Sequence, residues 1–511
     1  MSILVLIYLI SAILLAAYGL NPLVMAALYL RHRHRNPPRP ELTGFPVVTV
    51  QLPIYNERYV VGRLIDAVAR LDYPRDRLEI QVLDDSTDGT TAIARARVER
   101  YRAQGFDIRL LHRAHRRGFK AGALREGLSR ARGELIAIFD ADFVPRPDFL
   151  RATVPYFLAD PRLGLVQTRW GHINEEYSWL TRAQALAMDG HFVVEQTARN
   201  RAGLLMNFNG TAGVWRRACI EEVGGWQEDT LAEDLDLSYR AQLGGWRFLF
   251  LPQVVSPAEI PPQIQAFKVQ QFRWAKGSIQ CARKLWRRLL AARLPLFVKA
   301  QGLLHLTNYL AHPLMIILLL TAIPLIPVRS PCLAYLTCLS VATVGPPIMY
   351  AVSQRALYPD WHRRLARLPW LALLGTGIAL NNALAIAEAL TGRESPFKRT
   401  PKFRVEGLGD RWADKLYALP FSPMALGELA LALYAGWGIL VALAWGNLFV
   451  IPYLALYALG FGYVSLLTMA HSMPRWRLPR AIRARLVAGT LVGLLLLHLV
   501  VGAVRGALSG R

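Results

Sequence analysis

The stretch Leu135-Ile-Ala-Ile-Phe-Asp-Ala-Asp-Phe143 decides the fold, because a run of apolar residues stops abruptly at two acids. An apolar run of this length is typical of a strand buried on both faces, as in parallel sheets. Open α/β sheets bind ligands at the carboxyl ends of such strands. Asp140 and Asp142, one residue apart there, can share a hard cation such as Mg²⁺ or Mn²⁺ with a phosphate. A polar turn after a core strand has the same appearance, so other motifs must decide.

The composition predicts a membrane protein of several units. The chain has 511 residues, which is too long for one ordinary domain. Its hydrophobic fraction of 53% is high for a soluble protein. A net charge of +24 would suit nucleic acid, but the basic residues crowd beside apolar runs, at 31–35, 283–288 and 475–485. That pattern indicates positive-inside topology, so we expect membrane lipids and no nucleic acid as partners. Four cysteines form no Cys-x-x-Cys pair and are expected to be free and buried: Cys219, Cys281, Cys332 and Cys338.

The N-terminal segment predicts an uncleaved membrane anchor. Residues 1–30 carry no charge and are followed by Arg-His-Arg-His-Arg. The run is long enough to span a bilayer and lacks the basic start of a signal peptide. The basic linker at 31–44 then places the next domain in the cytosol.

Residues 45–262 alternate strand-like and helix-like segments, which predicts a doubly wound α/β domain. No Gly-x-Gly-x-x-Gly follows the first strand and no Walker lysine loop is present, which argues against a dinucleotide oxidoreductase or a P-loop ATPase. The predicted strands are 47–52, 78–83, 108–112, 135–139 and 163–168. The predicted helices are 59–71, 90–104 and 118–131.

The remainder of the chain is predicted to be helical and membrane-associated. Residues 263–293 form a basic amphipathic helix of the kind that lies in a membrane interface. The apolar segments that follow are 297–328, 331–352, 368–390, 423–446, 447–470 and 486–504.

Polar residues after the first two strands are candidates for nucleotide binding. Tyr55, Asn56 and Glu57 follow the first strand and Asp85 follows the second, so both groups point to the rim of Asp140. Carboxylates and amides there can hydrogen-bond a nucleobase and ribose, although Asp84 and Asp88 also suit a helix cap and a turn.

Two glycine-containing loops are candidates for close contact with a ligand. Lys120 lies in Gly118-Phe-Lys-Ala-Gly122 at a helix start, where charge and free N–H groups suit a diphosphate. Asn209 and Gly210 lie in Asn207-Phe-Asn-Gly-Thr-Ala-Gly213, whose small residues permit close backbone approach, although Asn-Gly is also an ordinary tight turn.

Two further motifs supply a base and a binding face. Thr230 and Glu233 have capping-box spacing, which leaves the adjacent Asp234 free to act as a general base. Gln270, Arg273 and Trp274 share one helix face, where arginine can grip phosphate and tryptophan can cover a sugar ring. A membrane-surface helix explains the arginine and tryptophan equally well, but not the glutamine.

Together these motifs resemble the processive, membrane-integrated members of glycosyltransferase family 2, the cellulose synthase superfamily. The order that carries the resemblance is Asp85, Asp140-x-Asp142, Glu233-Asp234 and Gln270-x-x-Arg273-Trp274. Residues 80–88, 207–213 and 397–403 resemble in particular the plant cellulose-synthase-like A and C proteins, which are mannan and glucan synthases. The resemblance covers about residues 45–405 and implies a GT-A-like nucleotide-sugar-binding fold.

The resemblance implies a role for each matching residue. Donor nucleotide sugar would be bound by Tyr55, Asn56, Glu57, Asp85, Lys120, Asp140 and Arg273. The growing polysaccharide, or a lipid acceptor, would be bound by Asn209, Gly210, Glu233, Gln270 and Trp274. Asp140 and Asp142 would hold Mg²⁺ or Mn²⁺, and Asp234 would deprotonate the acceptor hydroxyl so that the anomeric carbon is inverted.

Phe397, Thr400 and Lys402 resemble the gating loop that closes over the nucleotide in cellulose synthases. We call residues 397–404 the lid. Arg399 stands where cellulose synthases have valine before the threonine, and the mannan synthase branch shows the same Arg-Thr-Pro-Lys.

The lid and the catalytic domain are both expected in the cytosol, so an even number of spans must separate them. Three apolar segments lie between them, so one of the three is not a span. Segment 368–390 contains Asn381, Asn382 and Glu388, which are costly inside a bilayer. We therefore expect it to be interfacial or re-entrant, which leaves six spans and places the basic loop at 471–485 inside. The membrane is a bacterial inner membrane or a Golgi-type membrane.

Three functions are compatible with the sequence. The first is a processive synthase that polymerises hexose from GDP-mannose or UDP-glucose into a β-linked polysaccharide and translocates it. The second is an enzyme that adds one sugar to a membrane lipid. The third, a channel or scaffold that only binds a nucleotide, is disfavoured by the presence of metal, base and acceptor motifs in one order.

Overall fold

The computed structural model describes residues 3–328, 336–393 and 397–472. Its centre is a mixed seven-stranded sheet with strand order β3-β2-β1-β4-β6-β5-β7. Strands β3, β2, β1 and β4 are mutually parallel, whereas β6 runs antiparallel to both β4 and β5. The strands are β1 Val48–Ile54, β2 Leu78–Asp84, β3 Asp107–His112, β4 Leu135–Ile138, β5 Leu163–His172, β6 Gly213–Arg216 and β7 Arg247–Ala258.

The register of the parallel strands brings the polar motifs to one rim. Ile54 at the end of β1 pairs with Asp84 at the end of β2, and Gln51 pairs with Ile138 at the end of β4. The loops that begin at Tyr55, Asp85 and Phe139 therefore leave the sheet side by side. Every residue of β2 and β4 is buried, as expected for strands covered on both faces.

The helices between residues 61 and 243 cover the sheet and lead towards the apolar region. They are α2 Val61–Val68, α3 Thr90–Ala103, α4 Phe119–Ser129, α5 Phe149–Ala159, α6 Trp179–Asp189, α7 Thr197–Arg201, α8 Arg217–Glu222 and α9 Glu233–Leu243. A π-helix, Gly190–Gln196, joins α6 to α7. The predicted strands and helices between 47 and 168 are thus confirmed, with bounds that shift by a few residues.

The sequence reasoning missed two strands and misplaced one cap. Strand β6 has only four residues, too few to show a period, and β7 contains two prolines. The predicted capping box at Thr230 is wrong, because α9 begins at Glu233 after Ala232 and has no side-chain cap. Glu233 is therefore available to face the site.

The apolar part of the chain is helical. Four helices among the described residues are long and apolar enough to cross a membrane: Ile3–His32, Leu296–Leu325, Met424–Ala444 and Leu448–Ser472. A fifth candidate is the pair Trp361–Gly377 and Ala379–Thr391, which is bent by 40°. The individual helices of this region, including those that make up the candidate spans, are α1 Ile3–His32, α10 Ile264–Ala291, α11 Leu296–Thr307, α12 Ala311–Leu325, and then Gly345–Leu357, Leu368–Gly377, Met424–Ala444 and Ile451–Ser472.

Four of the six predicted spans are found among these helices, and the other two fall wholly or partly on residues that the structure does not describe. Segment 331–352 is described from residue 336 as a 3₁₀-helix, Leu336–Val344, that continues into Gly345–Leu357. Segment 486–504 and most of the loop at 471–485 lie outside the described residues, as does Cys332. Cys219 and Cys281 are free and buried, as predicted.

Two of the polar residues of segment 368–390, Asn381 and Glu388, contact the long helix α10, and the third, Asn382, lies 3.2 Å from His312 of α12. Asn381 donates to the Lys268 carbonyl oxygen at 3.1 Å, and Lys276 contacts Glu388 at 2.9 Å. These contacts satisfy groups that would otherwise be costly in an apolar environment.

Candidate functional site

A cavity of about 600 Å³ opens at the rim where the parallel strands end. It brings together residues that are distant in sequence. Those among the predicted site residues that line it are Tyr55, Glu57, Asp85, Lys120, Asp140, Asp142, Asn209, Gly210, Glu233, Asp234, Gln270, Arg273, Trp274, Phe397, Thr400 and Lys402. Asn56 does not line it.

Asn56 instead shapes the loop after β1. Its backbone has a φ of 54° and its N–H donates to the Ser86 hydroxyl at 2.8 Å, while its side-chain oxygen accepts from the Thr87 N–H at 2.8 Å. Asparagine tolerates this left-handed conformation better than most residues. The loop is therefore fixed to the loop after β2, which positions Tyr55.

Asp85 is held by a bidentate ion pair. Arg113 donates to both carboxylate oxygens at 2.6 and 2.5 Å, and Asp85 is 5% exposed. The guanidinium of Arg116 lies 3.5 Å from the centre of the Tyr55 ring. This arrangement of flat and charged groups suits a nucleobase with its ribose, but Asp85 is already paired in the structure.

Lys120 connects the acids of two motifs. Its ammonium donates to Asp140 at 2.5 Å and to the Gly210 carbonyl oxygen at 2.9 Å. Burial would lower its pKa, but the charges of Asp140 and Glu233 outweigh this and raise it. Lys120 therefore stays cationic where the diphosphate was predicted to bind.

Asp142 is paired with the lid. Lys402 donates to its carboxylate at 2.7 Å, and the carboxylate is 2% exposed on its side chain. No group of three or more histidine, cysteine, aspartate or glutamate residues that could hold a metal occurs among residues 3–328, 336–393 and 397–472. Two strand-end carboxylates supply hard oxygen ligands, so a cation here would need diphosphate oxygens and water to complete its shell.

Asp234 lies half-buried at the start of α9, next to the acid Glu233. Burial and the neighbouring charge of Glu233 raise its pKa to about 7, while Lys120 acts in the opposite direction. Burial likewise raises the pKa of Glu233. A Cβ atom added at Gly210 would lie 3.0 Å from a carboxylate oxygen of Asp234, so the loop passes directly against it. A carboxyl that titrates near neutral pH is well suited to general-base chemistry.

The polar face of α10 meets the lid. Arg273 donates to the Thr400 hydroxyl at 3.1 Å, and its guanidinium lies 4.8 Å from the centre of the Phe397 ring. Gln270 and Trp274 line the same cavity, as their spacing predicted. Trp274 and Asp234 therefore line one cavity.

The lid lies against the rim. Phe397 stacks on Phe119 with ring centres 5.0 Å apart, and the backbone N–H groups of Phe403 and Arg404 both donate to Glu259, at 2.9 and 2.8 Å. These contacts join the lid to two different parts of the domain.

Arg399 explains the departure from the cellulose synthase pattern. Its guanidinium lies 3.3 Å from Glu57 and 4.1 Å from the centre of the Tyr417 ring. Burial raises the pKa of Glu57 to about 8, although Arg399 and Lys402 act against it. A valine at this position could make neither contact.

The sequence reasoning missed a polar network beside Asn209. His191 contacts Glu195 at 2.9 Å through Nδ1 and Asn209 at 2.9 Å through Nε2, and Gln196 donates to the Asn209 side-chain oxygen at 2.6 Å. Arg199 donates to Glu195 at 2.9 Å. The π-helix, whose occurrence at functional sites is frequent, turns His191 and Glu195 towards the cavity. No pattern in the sequence marks a π-turn.

The cavity continues beyond Trp274 among the apolar helices. Its far wall is formed by side chains of α11, α12 and the helices that follow them, including Tyr309, His312, Tyr350 and Leu374. The rim and the helix bundle are therefore parts of one continuous space.

Comparison with known proteins identifies relatives of the α/β domain. Residues 46–277 match the family model described as "Glycosyltransferase like family 2". Glucomannan 4-beta-mannosyltransferase 2 of Arabidopsis thaliana is 46% identical over 247 residues, which are 48% of this chain and 46% of that protein. Glucomannan 4-beta-mannosyltransferase 1 of Oryza sativa subsp. japonica is 44% identical over 252 residues, which are 48% of each chain. The chain spans about half the length of the curated relatives it matches.

A solved structure is similar over more of the chain. A mannosyltransferase from Pyrobaculum calidifontis, in complex with GDP-Man and Mn²⁺, superimposes with a TM-score of 0.54 at 26% identity. The match covers 75% of this chain and 99% of the other. The mixed sheet and its covering helices therefore have a GT-A-like arrangement.

Proposed function

We propose that the chain is a membrane-integrated, inverting, processive hexosyltransferase, and the match of residues 46–277 to the glycosyltransferase family 2 model supports this. It takes hexose from GDP-mannose, UDP-glucose or both, builds a β-linked polysaccharide and passes the product across the membrane. The relatives named glucomannan 4-beta-mannosyltransferase support mannose as a donor sugar. The similar mannosyltransferase bound to GDP-Man and Mn²⁺ supports the same donor class and a divalent cation.

One observation carries the proposal. A single cavity is lined by the strand-end acids, by Asp234 and by Trp274, and it continues among apolar helices. Hexose transfer to a soluble acceptor needs the first three features. The fourth suits an enzyme that exports its product, and the lipid glycosyltransferase that would also use it is separated by the experiment below.

The donor diphosphate is proposed to lie among three cations. Lys120, Arg273 and Lys402 all line the rim close to Asp140 and Asp142. Arginine and lysine at a buried site favour phosphate oxygens strongly because little water competes. Asp85 and the Tyr55 ring then face the nucleoside.

Asp140 and Asp142 would hold Mg²⁺ or Mn²⁺ together with the diphosphate. The bound cation would offset the negative charge that develops on the leaving diphosphate. To admit it, Lys120 and Lys402 must exchange their carboxylate partners for phosphate oxygens, which is a local rearrangement of two flexible side chains.

The transfer step is a direct displacement. Asp234 accepts the proton of the acceptor hydroxyl, whose oxygen forms a bond to the anomeric carbon as the bond from that carbon to the diphosphate breaks. Attack from the face opposite the leaving group inverts the configuration, so an α-linked donor gives a β-linked product. Removing a positioned base costs about 10²-fold or more in rate.

Processivity is proposed to depend on Trp274 and the lid. An aromatic face covers the apolar side of a pyranose ring and can retain the chain end between additions. Phe397, Thr400 and Lys402 make contacts that can open while Trp274 keeps its position on α10. Opening of such a lid often limits turnover.

The catalytic domain is proposed to face the cytosol of a bacterial inner membrane or a Golgi-type membrane. Four or five candidate spans among the described residues support membrane insertion. Six spans remain our proposal for the whole chain.

The deciding experiment offers one donor at a time. Purified protein in detergent is incubated with Mn²⁺ and radiolabelled GDP-mannose or UDP-glucose, and the product is sized by gel filtration before and after a β-mannanase. We expect GDP-mannose to yield a polymer that the β-mannanase degrades. A product of one sugar on a lipid at every donor concentration would instead establish the lipid glycosyltransferase.

Translocation has its own readout. Protein reconstituted in vesicles with donor outside should accumulate polymer that β-mannanase cannot reach until detergent is added. Polymer fully accessible in intact vesicles would contradict export while leaving the synthase activity intact.

A further inference from the structure

A second cleft, of about 250 Å³, lies between α2, α3 and the end of the lid. Five arginines and one aspartate are its charged lining residues: Arg58, Arg63, Arg70, Arg97, Arg404 and Asp66. It is separate from the cavity that contains Asp234, with which it shares no lining residue.

The carboxylates near this cleft are already engaged. Asp66 accepts two hydrogen bonds from Arg97, at 2.8 and 2.7 Å. Glu406 is shared by Arg63 at 2.7 Å and Arg404 at 3.2 Å. With five guanidinium groups and these two carboxylates, the cleft has an excess of three positive charges.

Two of the arginines have no acidic partner. Within the part of the chain that the structure describes, neither Arg58 nor Arg70 forms an ion pair, and both are exposed. Guanidinium groups that converge without a counter-ion repel one another, and they present the planar donor pairs that phosphate oxygens accept.

Arg63 connects this cleft to the rim of the catalytic cavity. Its side chain is 13% exposed, its Nε is buried without a hydrogen-bond partner, and one terminal nitrogen donates to the backbone carbonyl oxygen of Asp142 at 3.0 Å. An anion that reoriented Arg63 would therefore disturb its hydrogen bond to the Asp142 backbone, in the same residue as the Asp142 carboxylate.

Arg404 connects the cleft to the lid. It lies two residues after Lys402, and its backbone has a φ of 53°, a left-handed conformation that costs free energy in an arginine. The Glu259 carboxylate holds its N–H at 2.8 Å. A strained residue at the end of a closing loop is a position where a bound ligand can shift the balance between open and closed states.

We propose that the cleft binds a phosphate-bearing anion and that this anion stabilises the closed lid. The anion offsets the mutual repulsion of the arginines and bridges Arg404 on the lid to Arg58 and Arg70 on the domain. By linkage, donor binding that closes the lid must tighten anion binding by the same factor. The effect on the lid rests on the proposed function, whereas binding itself does not.

Binding is tested with inorganic phosphate on the full-length protein. GDP and Mg²⁺ are kept saturating so that the donor site is filled, and the ³¹P linewidth of phosphate is followed as protein is added. The cleft variant is Arg58→Gln with Arg70→Gln, and the control is Arg95→Gln with Arg100→Gln. The control removes the same charge from two exposed arginines of α3 that do not line the cleft.

We expect broadening with wild type and control, and a dissociation constant at least about tenfold weaker in the cleft variant, the scale of losing charge-assisted hydrogen bonds. Omitting GDP should weaken phosphate binding to the cleft. Equal broadening by the cleft variant and the control would overturn the proposal.

The source of the phosphate group is distinguished in a second arm. Protein is reconstituted into phosphatidylcholine vesicles with or without phosphatidic acid, and the initial rate is measured at subsaturating donor. Stimulation by phosphatidic acid that the cleft variant lacks identifies a lipid headgroup, and stimulation by inorganic phosphate alone identifies a soluble anion. If neither binds or stimulates in wild type, the cleft is not a phosphate site. Normal transfer in that case would leave the proposed function standing.

Discussion

The ionisation of Asp234 gives the sharpest test of the proposed chemistry, because only its charged form can accept the acceptor proton. Burial and the charge of Glu233 raise its pKa to about 7, with Lys120 opposing the shift. The ionised fraction is then about 90% at pH 8, about half at pH 7 and about 10% at pH 6. Transfer should therefore fall about fivefold between pH 7 and pH 6, and by nearly tenfold for each further pH unit below 6.

Glu233→Gln changes this profile in a predictable direction. Removing the neighbouring negative charge makes ionisation of Asp234 easier, so the acid limb of the profile should move to lower pH. Asp234→Asn should lose about 10²-fold or more in rate at every pH while GDP binding stays nearly unchanged.

The assay measures initial rates with subsaturating GDP-mannose from about pH 5.5 to about pH 8.5, with the cation saturating. Glu57 requires a control, because burial raises its pKa to about 8 and it titrates in a neighbouring range. The limb near pH 7 should persist in Glu57→Gln. A rate that does not change between pH 6 and pH 8, or an identical acid limb in wild type and Glu233→Gln, would refute the assignment of Asp234 as the base.

Four other predictions follow from single contacts. Trp274→Ala should shorten or abolish polymer on a sizing column, because the chain end loses its flat support; full-length product would contradict this. Thr400→Ala should slow each addition without changing polymer length, since it removes the hydrogen bond that Arg273 makes to the lid. Asp142→Ala should weaken GDP binding in the presence of Mn²⁺, and EDTA should stop wild-type turnover; activity in chelator would indicate that lysine and arginine carry the diphosphate charge. Glu195→Gln should lower the elongation rate, because His191 then no longer fixes the Asn209 amide, and the donor concentration needed for elongation should change little.

The sequence by itself predicted the α/β fold class and the rim at which the polar motifs meet. The apolar run before Asp140 predicted a buried strand, and the family resemblance is confirmed for residues 46–277. Local patterns suffice for this because strand burial and helix periodicity depend on neighbours within a few residues. Strand ends in a parallel sheet share one rim, so the convergence of Asp85 and Asp140 was also predictable.

Only the tertiary structure decided which groups contact one another. It paired Lys120 with Asp140 and Lys402 with Asp142, and it placed Arg399 against Glu57, contacts between residues separated by up to 342 positions in the chain. It also excluded the capping box at Thr230, since the chain direction before α9 is fixed by packing and not by the Ser/Thr-x-x-Glu spacing. Long-range contacts, π-turns and the pKa of a buried carboxyl depend on what surrounds a residue in space, and the order of residues along the chain does not specify those surroundings.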